Sequence, residues 1–556
     1  MSATPENLVP APYLGHAMAR MGGALSLADQ EMVSTARGSF DRTWWGWKFT
    51  DFSAPRFQEG AHALAWLLTS PLAPAAARTS HRLLDQATAS IAFWSRLQHS
   101  DGSFDEAYPF ERSLAATAFT LFYVGTAIER LGDRLDRQTR DTALATAERA
   151  AGWLSVNGEH HGVLSNHLAA AAAACQVAGD LLGTDRYQGA RDRCLGIIYR
   201  EQDPDEGWMR EYSGADPGYQ GHGMFYLADI LRRTRDATLA QRLSAAMRFQ
   251  GWFVHPDGTV GGEYASRGTK FAFPAAFEML APSLPEAAAI ARHLRGCIAR
   301  GQGVGLHEMD VWNLFPMLNN YLVAAEAAGP LSEAAALPWQ TPGATGRFPR
   351  AGLIVANRAN HVLAAAPGNG GALKLWAPDG CLRYEDCGYG ARKGRGWIVS
   401  QGPATWVEPP ATSQGADSGP VTATSRGVFV TVPAIRFDPW RFMAFRGFTT
   451  TIGRLPALAR ALKDVLVGVL IRRRTPQTAA LERHVAFSAN GRLTIDDTLT
   501  GLEATATPLV RSVPYHMGSA RYAGLEDQFG AAVSCPELDA TTPNGGRRIV
   551  VIDPAS

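Results

Sequence analysis

The chain has 556 residues, of which 46% are hydrophobic and 19% are charged, and its formal net charge is +1. This length exceeds one ordinary domain, and the hydrophobic content excludes a disordered chain. The balanced charge provides no basic field, so we expect no nucleic-acid partner. The six cysteines are scattered without metal-ligand spacing. We therefore expect neither a disulfide framework nor a bound metal or cofactor.

The amino terminus lacks the basic region and apolar stretch of a signal peptide. No window reaches the roughly 18 uncharged apolar residues that a membrane-spanning helix needs. These features predict a cytoplasmic protein, with membrane association and a periplasmic location as alternatives.

A weak internal repeat of about 52 residues recurs six times between Trp44 and Ala328. Its clearest copies contain an acidic turn, at Asp101, Asp205 and Asp257, followed by a helical run. The period corresponds to one helical hairpin, and such hairpins bury their apolar faces only by stacking on one another. Six hairpins predict a complete or incomplete toroid whose acidic loops and helix N-termini share one rim.

Two neighbouring copies carry polar residues that we place at this rim. Asn166 and His167 open a helix in the third copy, and we expect Asn166 to be its N-cap. Tyr219 and His222 lie at the entry to a helix in the fourth copy. Asn166 and Tyr219 are 53 positions apart, which is one repeat, so we expect them to lie close together.

An amide, a phenol and histidines at one rim fit β-elimination in a uronate-containing polysaccharide. Asn166, helped by His167, can stabilise the charge that develops on the uronate carboxylate when the C5 proton leaves. Tyr219 can take that proton and protonate the leaving oxygen, provided that nearby positive charge favours its phenolate. Arg267 in the fifth copy is the candidate cation, although it could equally pair with Glu263.

Other residues at the rim are candidates for substrate binding. Glu106 and Glu111 could form the carboxylate pair of a glycoside hydrolase, or could cap a helix and pair with Arg112. Trp45 belongs to a tryptophan cluster that could stack on sugar rings or fill the core. The remaining candidates in the toroid are Glu263, Tyr264 and His307.

Near residue 330 the alanine-rich helical pattern is replaced by short β-branched or aromatic runs separated by turn residues. We therefore predict a multidomain α+β chain. An (α/α) toroid of about six helical hairpins, which carries the site, spans residues 1–335, and an antiparallel β-sandwich spans residues 336–556. Leu455–Arg474 interrupts the strands with an apolar, basic and amphipathic segment. It is either a helix at a membrane surface or an ordinary helix packed on the sheet.

With these residues in view, the chain resembles the heparinase II/III-like polysaccharide lyases and their alginate-lyase relatives. The resemblance extends from about Trp44 to the end of the chain. It rests on Asn166-His167, on Tyr219 one hairpin later, and on the strings GGALKLWAPDGCLRYEDCGYG and RHVAFSANGRLTIDDTL. It implies a toroid joined to a β-sandwich and an acidic polysaccharide as substrate. Asn166 would neutralise the uronate carboxyl group, and Tyr219 would be the acid and base.

The resemblance also implies an assisting histidine from the sandwich, and here the sequence departs from the family. The family carries His and Asp just before the strand that reads ALKLWAPDG, where this chain has PGNGG. His361, His222 and His307 are the candidates to replace that histidine, and His361 could equally be a packing residue.

Two alternatives to a lyase stay open. A glycoside hydrolase would use Glu106 or Glu111 and would leave saturated reducing ends. A non-catalytic glycan-binding protein of polysaccharide biosynthesis would leave the glycan intact.

Overall fold

The computed structural model describes residues 12–159, 162–212, 214–331, 336–407, 413–416, 419–432, 437–469, 474–502, 506–509 and 545–554. Residue 335, where the first predicted domain ends, lies outside this part of the chain, as do positions 470–473 of the predicted segment Leu455–Arg474.

The first region is helical. Its helices are α1 (Tyr13–Leu25), α2 (Arg42–Trp47), α3 (Gly60–Thr69), α4 (Ala75–Arg78), α5 (His81–Arg96), α6 (Leu114–Leu131), α7 (Arg137–Val156), α8 (Ser165–Leu182), α9 (Gln188–Glu201), α10 (Pro217–Thr234), α11 (Ala237–Trp252), α12 (Ala275–Leu280), α13 (Pro285–Ala299) and α14 (Val311–Ala327). Within the described residues, α3, α6, α8, α10, α12 and α14 pack in sequence as an inner ring. Helices α5, α7, α9, α11 and α13 pack outside it, together with α1 against α14.

The ring closes where α14 meets α3. The amide nitrogen Nδ2 of Asn319 donates to the carbonyl oxygen of Glu59 across this junction at 2.9 Å. Gly60 is required there, because a Cβ at this position would lie 2.8 Å from Cε1 of Phe315. The predicted toroid is therefore confirmed, and its six-hairpin ring is complete.

Small residues bring the inner helices close together. Ala169–Ala174 of α8 are all buried between its neighbours. On α10, a Cβ at Gly223 would lie only 3.3 Å from the Cα atom of Asn166. The chain segments that carry Asn166 and Tyr219 are thus in direct contact, as the repeat spacing predicts.

The strands form two antiparallel sheets after the toroid. They are β3 (Ala344–Phe348), β4 (Leu353–Arg358), β5 (His361–Ala366), β6 (Ala372–Trp376), β7 (Leu382–Asp386), β8 (Tyr389–Lys393), β9 (Gly396–Val399), β10 (Ala404–Val407), β11 (Ser413–Ala416), β12 (Val421–Thr431), β13 (Pro476–Phe487), β14 (Leu493–Thr500), β15 (Ala506–Pro508) and β16 (Gly545–Ile552); β1 (Arg210–Glu211) and β2 (Gly214–Ala215) form a small hairpin in the toroid. One sheet has the order β11-β3-β4-β5-β6-β7. The other has the order β15-β8-β9-β12-β13-β14-β16, with β10 also paired to β12.

Strands β4, β5 and β6 of the six-stranded sheet are buried on both faces, which explains their nearly continuous apolar runs. Ile354 and Ala356 face the second sheet and form the sandwich core with it. Leu353 and Val355, which alternate with them, join the core of the toroid. Fold class is therefore confirmed as a toroid followed by a β-sandwich.

A helical hairpin is inserted between β12 and β13. It consists of α15 (Pro439–Thr450) and α16 (Pro456–Val467), and α16 lies within the predicted segment Leu455–Arg474. The hairpin belongs to the sandwich in sequence but docks on the toroid, where Nζ of Lys463 lies 3.2 Å from a carboxylate oxygen of Glu111. None of the helices in the described part of the chain has both the length and the hydropathy needed to cross a membrane.

Candidate active site

A chain of polar contacts joins Asn166 to Tyr219. Asn166 donates to the carboxylate of Glu211 twice, from its backbone N–H at 2.8 Å and from its side-chain amide at 2.7 Å. Arg267 donates to the same carboxylate at 2.5 Å. The guanidinium of Arg267 in turn lies 3.9 Å from the centre of the Tyr219 ring. Residues from three consecutive hairpins therefore form one group.

Glu211 explains why α8 begins without a local cap. The N-cap position is Leu164, not Asn166 as expected, and no side-chain bond caps the helix there. Asn166 lies in the first turn, where its backbone N–H would otherwise lack a partner. The buried Glu211 carboxylate accepts from that N–H and also lies near the positive end of the helix dipole. The cap thus comes from a residue 45 positions away.

Asp216 positions Tyr219 and Arg267 together. It is the N-cap of α10, and its Oδ1 accepts from the backbone N–H of Tyr219 at 3.1 Å. Its other oxygen, Oδ2, accepts from the backbone N–H of Arg267 at 2.9 Å. Burial raises the pKa of Asp216 to about 6, although Arg267 and the two N–H donors act to lower it.

Tyr212 is a site residue that the sequence did not single out. Its backbone is left-handed, with φ at 51°, which is uncommon for a residue other than glycine and costs free energy. This conformation places its ring 4.7 Å from the guanidinium of Arg267, which therefore contacts two tyrosine rings. Burial raises the pKa of Tyr212 to about 12, while Arg267 acts to lower it. The signal in the sequence was its place directly after Glu211 in the fourth copy.

His167 projects to the rim from the same turn as Asn166. Its Nδ1 lies 2.8 Å from a carboxylate oxygen of Glu159, and 19% of its side chain is exposed. Its ring also packs edge-on against Phe119 of α6. His167 is thus oriented by a carboxylate while one edge of its ring stays accessible.

His222 is buried behind this rim. Its ring stacks on Phe273 at 4.2 Å and on Phe119 at 5.6 Å, and its Nε2 lies 3.0 Å from the hydroxyl of Tyr226. Burial, with nearby Arg56, lowers the pKa of His222 well below its usual value, so the imidazole is neutral. Its Nδ1 is buried and has no hydrogen-bond partner among the described residues. His222 therefore lies beneath the rim, where it packs under the site residues.

Glu106 and Glu111 lie in the loop before α6. The sequence suggested that they could pair with Arg112, but neither does. Glu106 pairs with Arg56 at 2.9 Å, and burial is outweighed by Arg56 and His167, so its pKa is lowered. Glu111 accepts from two backbone N–H groups of the loop and pairs with Lys463. Burial raises its pKa, against the opposing effect of Lys463. Arg112 instead pairs with Asp101.

Glu263 and Tyr264 lie in a different environment from the one expected. Glu263 does not pair with Arg267; it is buried between Lys270 at 2.8 Å and Lys374 of the sandwich at 2.5 Å. The hydroxyl of Tyr264 is bonded to Nε2 of His255 at 2.6 Å, and its ring is fully buried. Both residues join the toroid to the six-stranded sheet, which corrects the expectation that they face substrate.

Three other candidates lie apart from the Asn166–Tyr219 group. The Trp45 indole donates to the carbonyl of Leu27 at 2.9 Å, and His307 packs on His16 at 4.7 Å. His361 alternates along β5 with residues of the toroid-facing side, so its side chain shares the face of Leu363, toward the second sheet. Strand geometry therefore directs His361 away from the toroid. The expectation that His361 could replace the missing sandwich histidine is corrected.

An open cavity of about 460 Å³ lies between α16, α7 and the loop before α6. Its lining includes Trp153, Glu159, Arg460 and Lys463. Glu159 is also the partner of His167, so the cavity adjoins the rim, although Asn166 and Tyr219 do not line it. Among the described residues no group of three histidine, cysteine or acidic side chains could hold a metal ion.

Part of the toroid is similar to a known domain. Residues 62–274 match the family model of the ulvan lyase N-terminal domain, and this range contains Asn166, His167, Tyr219 and Arg267. None of the curated proteins matches the sequence.

Solved structures share both parts of the fold. A xanthan lyase from Paenibacillus has a TM-score of 0.50 at 10% identity, covering 89% of this chain and 46% of its own. A chondroitin AC lyase from Streptomyces coelicolor A3, in complex with chondroitin sulphate, has a TM-score of 0.52 at 12% identity, covering 91% of this chain and 69% of its own. This chain thus spans about half the length of the xanthan lyase. The family match and the shared fold confirm the resemblance to polysaccharide lyases with a helical toroid.

Proposed function

We propose that this chain is a polysaccharide lyase that cleaves a uronate-containing acidic polysaccharide by β-elimination. The observation that carries the proposal is the group formed by Asn166, Glu211, Arg267 and Tyr219, in which a guanidinium lies 3.9 Å from the centre of a tyrosine ring at the toroid rim. The family match over residues 62–274 supports it, because that match is to a lyase domain and contains the four residues.

Tyr219 is the acid and base in this proposal. It removes the proton from C5 of the uronate, the C5–H electron pair forms the C4–C5 double bond, and the C4–O bond breaks. The leaving oxygen then takes a proton, which the Tyr219 hydroxyl supplies. The guanidinium of Arg267 lies 3.9 Å from the centre of the Tyr219 ring and holds that ring in place at the rim.

Asn166 acts through Glu211 in this arrangement. Its amide is occupied by Glu211, so the amide holds the carboxylate that orients Arg267. His167, which is oriented by Glu159 and partly exposed, is the group best placed to meet the uronate carboxylate at the rim. The exposed edge of the His167 ring is where that carboxylate would bind while charge develops on it during proton removal.

The test is a screen of sulfated and unsulfated polyuronates, read at the ultraviolet absorbance of a C4–C5 unsaturated uronate. We expect the wild type to produce this signal and Tyr219→Phe to lose it by about a hundredfold or more with its fold retained. Tyr199→Phe on the outer helix α9 is the matched control and should keep full activity. An undiminished Tyr219→Phe would remove Tyr219 from the mechanism.

A second candidate function is hydrolysis by Glu106 and Glu111. The observation that favours it is the opposite direction of their pKa shifts, lowered for Glu106 and raised for Glu111, as an acid and base pair requires. Hydrolysis would produce saturated reducing ends without ultraviolet absorbance, and Glu111→Gln would abolish it. Loss of the unsaturated product in Tyr219→Phe but not in Glu111→Gln would decide for the lyase.

A further inference from the structure

The helical hairpin α15–α16 has one side docked on the toroid. The Phe445 ring packs edge-on against Tyr108 at 5.0 Å, and the carbonyl of Arg454 accepts from Arg112 at 2.7 Å. Lys463 reaches Glu111 from α16. These contacts fix which side of the hairpin faces the protein and leave the other side facing outward.

The outward side is apolar. On α15, Trp440 is 78% exposed and Met443 is 62% exposed, and on α16 Val465 is 61% exposed. Leu458, Ala461 and Val465 are all exposed and follow one another at intervals of three and four residues. This spacing places them on one stripe of α16, so the apolar surface is a continuous helix face.

This surface is exceptional within the molecule. Eighteen large apolar side chains are exposed in the described part of the chain, and eight of them lie between Phe437 and Val465. A surface with so many apolar side chains in a short segment marks an interaction site.

The same segment is strongly basic. Residues 437–474 contain eight lysines and arginines against two aspartates, whereas the whole chain has a net charge of +1. Arg441 is exposed next to Trp440 on α15, and Arg460 is exposed on α16 where that helix borders the cavity. Apolar and aromatic side chains flanked by arginines are the combination that binds the interface of an anionic bilayer.

We propose that the outward side of the α15–α16 hairpin docks on the surface of an anionic lipid bilayer. Trp440, Met443, Leu458 and Val465 would enter the interface, and Arg441 and Arg460 would contact lipid phosphates. A second copy of the chain fits less well, because a twofold contact would bring the basic side chains of both copies together. A glycan fits less well too, because the exposed side chains around Trp440, which include Met443, Leu458 and Val465, offer no hydrogen bonds to its hydroxyl groups. This inference is independent of the proposed catalysis.

The experiment is co-sedimentation of the full chain with vesicles of phosphatidylcholine alone and of phosphatidylcholine mixed with phosphatidylglycerol. We expect binding to the anionic vesicles only, and its reduction by about tenfold in about 0.5 M NaCl, where charges are screened. The variant W440S/M443S/V465S should lose binding by about tenfold or more, and R441Q/R460Q should lose the preference for the anionic vesicles.

The matched control is I549S/V551S, which removes two exposed apolar side chains from β16 and should bind like the wild type. All variants change exposed positions, and equal thermal unfolding temperatures establish that they fold. Binding by W440S/M443S/V465S at the wild-type level would overturn the proposal. So would a wild type that stays with the supernatant at every lipid composition, or one that forms a dimer which this variant abolishes.

Discussion

The guanidinium of Arg267 lies 3.9 Å from the centre of the Tyr219 ring and 2.5 Å from the carboxylate of Glu211. Burial acts to lower the pKa of Arg267, but Glu211 and Tyr219 raise it above its usual value, so the positive charge is permanent. The planar guanidinium contacts the tyrosine ring with its face and donates to the carboxylate from its edge. No other side chain offers both contacts with a fixed charge.

Replacing Arg267 by lysine should separate these two contacts. A lysine keeps the charge but lacks the planar fork, so it cannot hold Glu211 and cover Tyr219 at once. We expect kcat/KM on the uronate polymer to fall by about tenfold or more, a loss of roughly 1.4 kcal/mol of transition-state stabilisation. Arg242→Lys, at another arginine that lies over a tyrosine ring, is the control and should keep full activity. Equal losses in both variants would contradict the role of Arg267.

Asn166→Asp should destabilise the fold. The new carboxylate would replace the amide that donates to Glu211 at 2.7 Å, and both groups are buried, so two negative charges would meet without water. We expect the free energy of unfolding to fall by about 3 kcal/mol or more in chemical denaturation. Asn166→Ala should cost less, about 1–3 kcal/mol. Asn490→Asp in an exposed turn should change it by less than about 0.5 kcal/mol. A stable Asn166→Asp would show that Glu211 is protonated or displaced.

Glu59 should make stability depend on pH. Burial raises its folded-state pKa from 4.5 to about 7, against the opposing effect of Arg56. A raised pKa means that the folded state holds the proton more tightly, so its stabilising contribution is complete below pH 4.5 and is lost as the pH rises to about 7. We expect the wild type to lose stability relative to Glu59→Gln across this window, by on the order of 3 kcal/mol at most.

The measurement is urea unfolding of the wild type and Glu59→Gln at several pH values. Glu31→Gln, at an exposed position, should run parallel to the wild type throughout. Parallel curves for the wild type and Glu59→Gln would contradict the raised pKa.

Lys463→Met should loosen the docked hairpin. Lys463 is the cation that faces Glu111, and its own pKa is raised by that carboxylate despite burial. Without the ion pair Glu111 keeps its two backbone donors, so the toroid should stay folded while α16 opens more often. We expect amide hydrogen exchange in α15 and α16 to increase by about tenfold, with α8 and α10 unchanged. Lys393→Met at the sandwich edge is the control. Unchanged exchange in the hairpin would show that its other contacts suffice.

Much of the architecture follows from the sequence because hairpin stacking depends on a local pattern. The repeat spacing brings Asn166 next to α10, where Gly223 packs on its backbone. The same reasoning could not find Glu211 as the cap of α8, since capping rules look within a few residues and this contact spans 45 positions. Tyr212 was missed for a related reason, because its left-handed backbone is imposed by the tertiary fold.

Side-chain direction was the other limit. Glu263 lies in the loop whose other residues face the site, yet it meets Lys374 from the sandwich, a contact between regions that no local pattern contains. His361 lies on the predicted strand, but its face depends on register, which a single sequence does not determine. The helix α15 was not predicted, since its apolar side chains point outward and show no core-facing period. The catalytic roles, the domain limits and the cellular location stay predictions.

Strands β4, β5 and β6, which are buried on both faces, make the toroid and the sandwich depend on each other. A fragment ending after α14 would expose the patch that normally receives Leu353 and Val355, and the isolated sandwich would expose those two side chains to water. Separating the two regions would also break the hydrogen bond that the Trp376 indole of the sandwich donates to Asp257 of the toroid at 2.7 Å. Chimeras that combine this toroid with a foreign sandwich would therefore need a matching surface, and the whole chain is the smallest unit worth expressing.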